Sequence, residues 1–467
     1  MTDPVDLVVR HARVVTETRR PAVGYPDLPR EDTAARGGIE EFSGHSIGVR
    51  DGAIAWILPD DEVDPTAIAD AAVIDAAGQV AIPGLLNSHT HTPMVMFRGA
   101  ASDVPTDEWF NQHVWPMEVN LTDRDIRLGA RIAIGELLLS GVTAFADHYF
   151  GMDTIAEEVE AAGIRALLAS TFFSSEGAAG RERSVAFARD ANGAAGGRIT
   201  TALGPHAPYT VDDDDLRRTA QDAERLGVRI HIHAAENLTQ TASSLGRRGR
   251  SPIGILHDTG ILEAGAIIAH GAGIVPEDVA LLQPYADRIG VASCTKTYLL
   301  HAQEGTTPLR LLHDAGISVG IGTDGAAGSI TLDVLENMRL LGMIEKYTSK
   351  DATWATSAHL LDLATRQNAE VFGLADRVGA LRPGLRADIV LLDFHSPHLQ
   401  PVHDLAHSLA LSAHQGDVST VIVDGRVVVR DRQLLTIDID AAVDELSERL
   451  PALTDRSHGR RVQDYAP

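Results

Sequence analysis

The sequence predicts an α/β protein: a (β/α)8 barrel of the TIM type with a small composite β-domain formed by the N- and C-terminal segments. Three observations point there. From about residue 81, eight short apolar runs alternate with amphipathic helical stretches over roughly 240 residues, the pattern of a parallel barrel. β-like segments recur at both chain ends, and an isolated hairpin is marginal in water, so the two sets are expected to pair. No glycine-rich dinucleotide fingerprint follows the first run, which counts against a doubly wound sheet.

Taken in order, the chain opens with "VDLVVRHARVV", "HSIGVRDGAIAWIL" and "AAVIDAAGQVAI", rich in β-branched residues, with "RDGAI" reading as a hairpin turn. Residues 17 to 45 hold a polar stretch broken by Pro and Gly, expected to be a long loop or partly disordered insertion. The barrel runs are "VAIPGLLNSH", "VTAFADHY", "IRALLAST", "ITTALGPH", "VRIHIHAAE", "AIIAHGAG", "IGVASCT" and "ISVGIGTDG". Segments such as "TIAEEVEAAG" and "DDLRRTAQDAERLG" separate them and end in Gly, as helices commonly do. After the helical "SAHLLDLATRQNAEVFG", β-signals return in "RADIVLLDF" and "VSTVIVDGRVVVRD". The expected division is a β-domain from 1–80 plus 376–436, a barrel over 81–375, and a C-terminal helix and tail over 437–467.

Bulk composition narrows the function classes. The formal net charge of −25 repels nucleic acid and anionic lipid, so neither is expected as a partner. No apolar run approaches the ~20 residues that span a bilayer. The single cysteine, Cys294, permits no intrachain disulfide, and the N-terminus lacks a signal-peptide pattern; a cytoplasmic location is the expectation.

Chemistry in such a barrel collects at the C-terminal strand ends. Here those ends carry His89 and His91, Asp147 and His148, His206, then His231, His233 and Glu236, His270, Cys294 and Asp324. A purely structural barrel has no need of histidine at five of eight strand ends. His89, His91, His233 and Asp324 offer three nitrogens and one oxygen and leave a position for water, a catalytic arrangement suited to Zn2+ or Fe2+. Strand four ends in "LGPH" without the lysine that a carbamate bridge would need, so one divalent metal ion is expected, Zn2+ before Fe2+. Cys294 reads as buried packing.

The segments "PGLLNSHTHTPMVMFRGAASDVPTDEWF", "GPHAPYT", "HIHAAE", "IIAHG" and "GIGTDGAAG", in that order, together with "GALRPGLRADIVLLD", resemble the amidohydrolase superfamily over nearly the whole chain. The likeness is to its cytosine deaminase-like and S-adenosylhomocysteine/methylthioadenosine deaminase-like aminohydrolases, the chlorohydrolase-type branch. It implies His89, His91, His233 and Asp324 as metal ligands and Glu236 as proton shuttle. It further implies that His270 holds the attacking water or the oxyanion, with Asp324 acting as base as well as ligand, and that Trp109 and His206 line the substrate pocket. Asp107 takes the place of a pocket glutamate, and His148 is counted as a further substrate contact. His231 has no role in the family pattern and reads as a satisfied strand histidine.

The implied activity is a mononuclear metal-dependent aminohydrolase that uses water to release ammonia from a purine, pterin, pyrimidine or s-triazine amine. Alternatives are a dehalogenase or N-dealkylase of triazine-like rings, or a cyclic amide hydrolase; the intact ligand set argues against a non-catalytic scaffold. Related enzymes imply a homo-oligomer, a dimer or larger. Three departures lie where substrate identity is set: Asp107 is one methylene shorter than the family glutamate, Ala169 and Ser170 stand where the family tends to place arginine, and Ser293 to Tyr298 replace a His-Asn-Pro-x-Ser-Asn segment. They count against S-adenosylhomocysteine as substrate. Lys296 reads equally as a new polar contact or a surface residue.

Overall fold

The computed structural model describes residues 3–18 and 38–466. It divides into two compact units. One comprises Met1–Leu86, Leu137–Ala144 and Asp333–Thr436; the other comprises Asn87–Glu136, Phe145–Leu332 and Ile437–Pro467.

The first unit holds a mixed sheet built from both chain ends. Its early strands are β1 (Leu7–Thr18), β2 (Ile39–Arg50), β3 (Ala53–Pro59), β4 (Ala72–Asp75) and β5 (Gln79–Pro83). Eight strands of the barrel follow: β6 (Leu85–Thr90), β7 (Val142–Tyr149), β8 (Arg165–Phe172), β9 (Ile199–Pro205), β10 (Arg229–Ala234), β11 (Ala266–His270), β12 (Gly290–Ser293) and β13 (Ser318–Ile321). The late strands β14 (Ile389–Asp393), β15 (Val418–Val423), β16 (Arg426–Arg430) and β17 (Gln433–Leu434) return to the first sheet, whose order is β17-β16-β15-β14-β5-β1-β2-β3 with β4 beside β1. β5 and β14 join the two chain ends, pairing antiparallel from Gln79↔Asp393 to Pro83↔Ile389. Val9, Val14, Ile47, Ile389, Leu391 and Ile422 are fully buried beneath this sheet. The expected hairpin turn is at Asp51-Gly52, both with positive φ, as a tight β2–β3 connection demands.

The barrel sheet runs β6 to β13 in sequence order, with parallel neighbours in register such as Ile230↔Ala266 and Val291↔Val319. β6, β7 and β8 are buried along their whole length, as parallel strands covered on both faces must be. The last strand is tied back to the first beyond its own end. The amides of Thr323 and Asp324 donate to the His89 carbonyl at 3.0 and 2.9 Å, and the Asn87 side chain brackets Thr323 with bonds of 2.7 and 3.0 Å.

Three expectations are corrected. "VAIPGLLNSH" is not one strand: it breaks at Gly84 between β5 and β6. A Cβ on Gly84 would sit 2.0 Å from Thr143 Oγ1, so this close crossing admits no side chain. The stretch at 17 to 45 is not loop at its ends, because β1 and β2 pair from Thr18↔Ile39 inward through Ala12↔His45; residues 19–37 lie outside the described residues. Residues 437–467 are not set apart but belong to the second unit. There Arg449, on the helix Ile439–Leu453, grips the Asp125 carboxylate at 2.7 and 2.8 Å. Among the described residues, no helix is long and apolar enough to cross a membrane.

Candidate active site

His89 is the penultimate residue of β6 and His91 follows its end, so strand alternation carries both rings to one side. His233 occupies the same place near the end of β10, and Asp324 lies just past β13 with φ 64°, its turn held by the His89 carbonyl. Each imidazole is oriented from behind. His91 Nδ1–H donates to the His148 carbonyl at 2.6 Å and His233 Nδ1–H to the His206 carbonyl at 3.0 Å. A carbonyl only accepts, so Nε2 of a neutral ring is a bare lone pair. At His91 burial lowers the imidazole, but the facing Asp324 outweighs it and raises it above its usual value, so that in the absence of an ion its Nε2 shares a proton with the carboxylate. The two Nε2 atoms face one another at 3.3 Å, and Asp324 Oδ1 lies 3.3 Å from His91 Nε2 and 3.8 Å from His89 Nε2. His89 Nε2 is buried with no hydrogen-bond partner. Two overlapping triplets, His89/His91/His233 and His89/His270/Asp324, each bring their ligand atoms within 4.8 Å of one another, a spacing in which a divalent ion would offset the repulsion between bare nitrogens.

Around this cluster opens a cavity of about 740 Å3, part of it open to solvent, lined on its outer side by Trp109, Phe110, Trp115, Phe150, Phe173 and Tyr209. Glu236 projects into it, only 6% exposed; burial pushes its carboxyl up to about 7, against the opposing pull of Gln240 and Tyr209. His270 lines the same space with its backbone locked by bonds from Tyr298 Oη–H and Thr307 Oγ1–H to its carbonyl, and burial lowers its imidazole to about 4. Burial alone would raise Asp324, but the facing His91 and His270 outweigh it and hold the carboxyl at about 2. The site therefore sets an ionised carboxylate beside one poised near neutrality, the arrangement that divides a ligand from an acid–base group.

The sequence from the start of β5 into β16 matches the amidohydrolase family, over residues 80–428. The chain belongs to the amidohydrolase family. This amidohydrolase is 41% identical over 403 residues to the 5-methylthioadenosine/S-adenosylhomocysteine deaminase of Desulforudis audaxviator, covering 85% of this chain and 92% of that one. The protein of the same name from Natronomonas pharaonis is 37% identical over 416 residues, 87% of this chain and 95% of that one. Among solved structures, an adenosine deaminase from Xanthomonas campestris with bound zinc aligns at 27% identity and a TM-score of 0.84, covering 97% of this chain and 99% of that one. An atrazine chlorohydrolase from Arthrobacter aurescens, complexed with zinc, aligns at 23% identity and a TM-score of 0.82 over 95% of this chain and 100% of that one, which speaks for a shared fold.

In this amidohydrolase the cavity brings together His91, Trp109, His148, His206, His233, Glu236, His270 and Asp324, with His89 directly behind them. It does not include Asp107, which is exposed on the turn Thr106–Glu108. Thr106 and Trp109 share the inward face by helical spacing, and a residue two before Trp109 points elsewhere. Lys296 also stays outside, bonding Thr331 Oγ1 at 2.9 Å. Cys294 is buried, its thiol pushed far up by desolvation, consistent with packing.

His231 is more than a satisfied strand histidine. Its Nε2 lies 2.9 Å from His89 Nδ1, so it orients the first ligand, and its own Nδ1 has no partner. "HIH" repeats the alternation of "HTH", and that repeat was the available signal. Asp147 was named only as a strand-end residue, and Glu118 was not singled out for this site. Asp147 accepts from the Thr92 amide at 3.2 Å and from the Thr92 hydroxyl, fixing the chain just after His91. Glu118 lines the cavity, accepts from Tyr149 Oη–H at 2.5 Å, and is pushed by burial up to about 7. Its only sequence signal is a lone acid inside "HVWPMEVNL".

Proposed function

We propose that this amidohydrolase is a mononuclear metal-dependent deaminase of 6-aminopurine nucleosides, with His89, His91, His233 and Asp324 as ligands and Zn2+ as the ion. The observation that carries the reading is the convergence of His89, His91 and His233, with Asp324 facing His89 and His91, beside Glu236 in an aromatic cavity. A divalent ion held there would supply a water of lowered pKa and positive charge for the developing oxyanion.

The chain's own residues do the rest. Aromatic walls hold a planar base and exclude water. Glu236, with a carboxyl near 7, accepts a proton from the attacking water and delivers it to the ring nitrogen beside the amine-bearing carbon. Neutral His270 steadies the oxygen that adds to that carbon. Asp324 takes the second water proton, which leaves with the amine as ammonia.

The relatives' printed names cover two thioether nucleosides that differ in one end: S-adenosylhomocysteine carries a carboxylate and an ammonium, and 5-methylthioadenosine does not. Among the described residues no lysine or arginine lines the cavity, and Glu118, Glu236 and Asp324 give it acid character. A free carboxylate finds no counter-ion there and is opposed by those acids. 5-Methylthioadenosine and adenosine are the favoured substrates. Ammonia release from the zinc-loaded protein tests this, with S-adenosylhomocysteine and a chlorinated triazine in the same assay. A kcat/KM for S-adenosylhomocysteine equal to or above that for 5-methylthioadenosine overturns the preference, and halide release without ammonia release overturns the reaction.

A further inference from the structure

The last described residues make contacts that no step above uses. Around Tyr465 the tail is exposed or half-buried, yet Tyr465 itself is 9% exposed. Its ring stacks on Phe110 at 4.6 Å with an interplanar angle of 12°, and meets Tyr209 edge-on at 5.5 Å. Phe110 and Tyr209 both line the cavity; Tyr465 stands behind them. Its backbone is clasped by a single side chain: its amide donates to Asn111 Oδ1 at 2.8 Å, and Asn111 Nδ2 donates to its carbonyl at 3.1 Å. Arg247 Nη1 donates to the next carbonyl, that of Ala466, at 3.1 Å. The Tyr465 side chain also reaches Asn237. Asn237 Oδ1 accepts from the Gln240 amide and Gln240 Oε1 from the Glu236 amide, each at 2.8 Å, so the tail touches the loop that carries the proton shuttle.

We propose that the segment Val462–Ala466 belongs to the substrate-binding apparatus, with Tyr465 as a positioning residue that holds Phe110 and Tyr209 as the outer wall against the substituent of the purine nucleoside. The inference rests on the deaminase reading above. A five-residue tail gains nothing for the core by this arrangement: it orders one buried ring and leaves its flanks in water. What the ring does is join two cavity-lining aromatics: it stacks on Phe110, whose other ring neighbours Trp109 and Trp115 meet it edge-on or tilted, and it meets Tyr209 edge-on. An aromatic pair is worth roughly 0.5–1.5 kcal/mol beyond burial, so losing the stack is read as about a three- to tenfold change. It falls on binding, because the stack is with Phe110, a wall residue that has no part in the proton transfers.

The test is steady-state kinetics of the zinc-loaded full chain on 5-methylthioadenosine. Tyr465→Ala is expected to raise KM about three- to tenfold with kcat within about twofold, and Tyr465→Phe, which keeps the stack, to restore KM. An unchanged KM in Tyr465→Ala, or a KM in Tyr465→Phe as high as in Tyr465→Ala, overturns the assignment. A second measurement needs no variant. Arg460 and Arg461 are exposed just before the segment, and saturating 5-methylthioinosine, the deamination product, is expected to slow tryptic cleavage there severalfold. Cleavage at an unchanged rate, with product binding verified by tryptophan fluorescence, also overturns it. A wild-type protein that deaminates no purine nucleoside defeats the reaction reading and this inference together; a wild-type protein that does, matched in KM by Tyr465→Ala, defeats the inference alone.

Discussion

At the residue scale the site is a problem of orientation. Each of the three imidazoles proposed as ligands has its far nitrogen bonded to a carbonyl or to a fourth histidine, which turns the other nitrogen toward the site. His231→Ala should therefore leave the fold intact and weaken metal affinity by roughly 10- to 100-fold, read by competition with a chromogenic chelator. Glu236→Gln should retain one equivalent of metal and lose about 100- to 10,000-fold in kcat; near-normal turnover sinks the proton-shuttle role. Glu118 makes a prediction about pH. Burial raises its folded carboxyl from 4.5 to about 7. The folded state thus binds a proton that the unfolded state has released, and the stability linked to it is fully present below about 4.5 and lost as pH rises toward 7. Glu118→Gln should flatten that decline, seen as urea midpoints that fall less between pH 5 and 7 than those of the wild type. Asp107 marks the limit of position-by-position reading: a two-residue offset on a single helical turn reversed its direction.

At the element scale, strand alternation did most of the placing. His-x-His on β6 and on β10 could be read from spacing because period two fixes which side a residue faces. Gly84 could not, since what forbids a side chain there is Thr143, nearly sixty residues on. Gly84→Ala should cost about 1–3 kcal/mol by overpacking, measured as a lowered urea midpoint, while leaving the metal stoichiometry at one. A midpoint equal to wild type would show that the crossing relaxes. Glu118 was equally invisible, because a lone acid in an apolar stretch becomes a cavity group only when the loop after β6 folds over the strand ends.

At the scale of the whole molecule, the metal is the part that binds the folded chain and not the unfolded one. Chelation should lower the thermal midpoint and zinc restore it; at free metal a thousandfold above Kd the gain is about 4 kcal/mol. A midpoint indifferent to chelator would mean that the four converging groups hold no ion. The order of elements and the pairing of the chain ends followed from the sequence alone, because hydrophobic period and strand-end position are local properties that survive without coordinates. Only the tertiary structure decided that Asp107 faces solvent, that His231 meets His89, that Glu118 enters the cavity and that Tyr465 stacks on Phe110. The last three depend on which surfaces meet across tens to hundreds of residues, and contact at that range is set by packing, which no local pattern encodes.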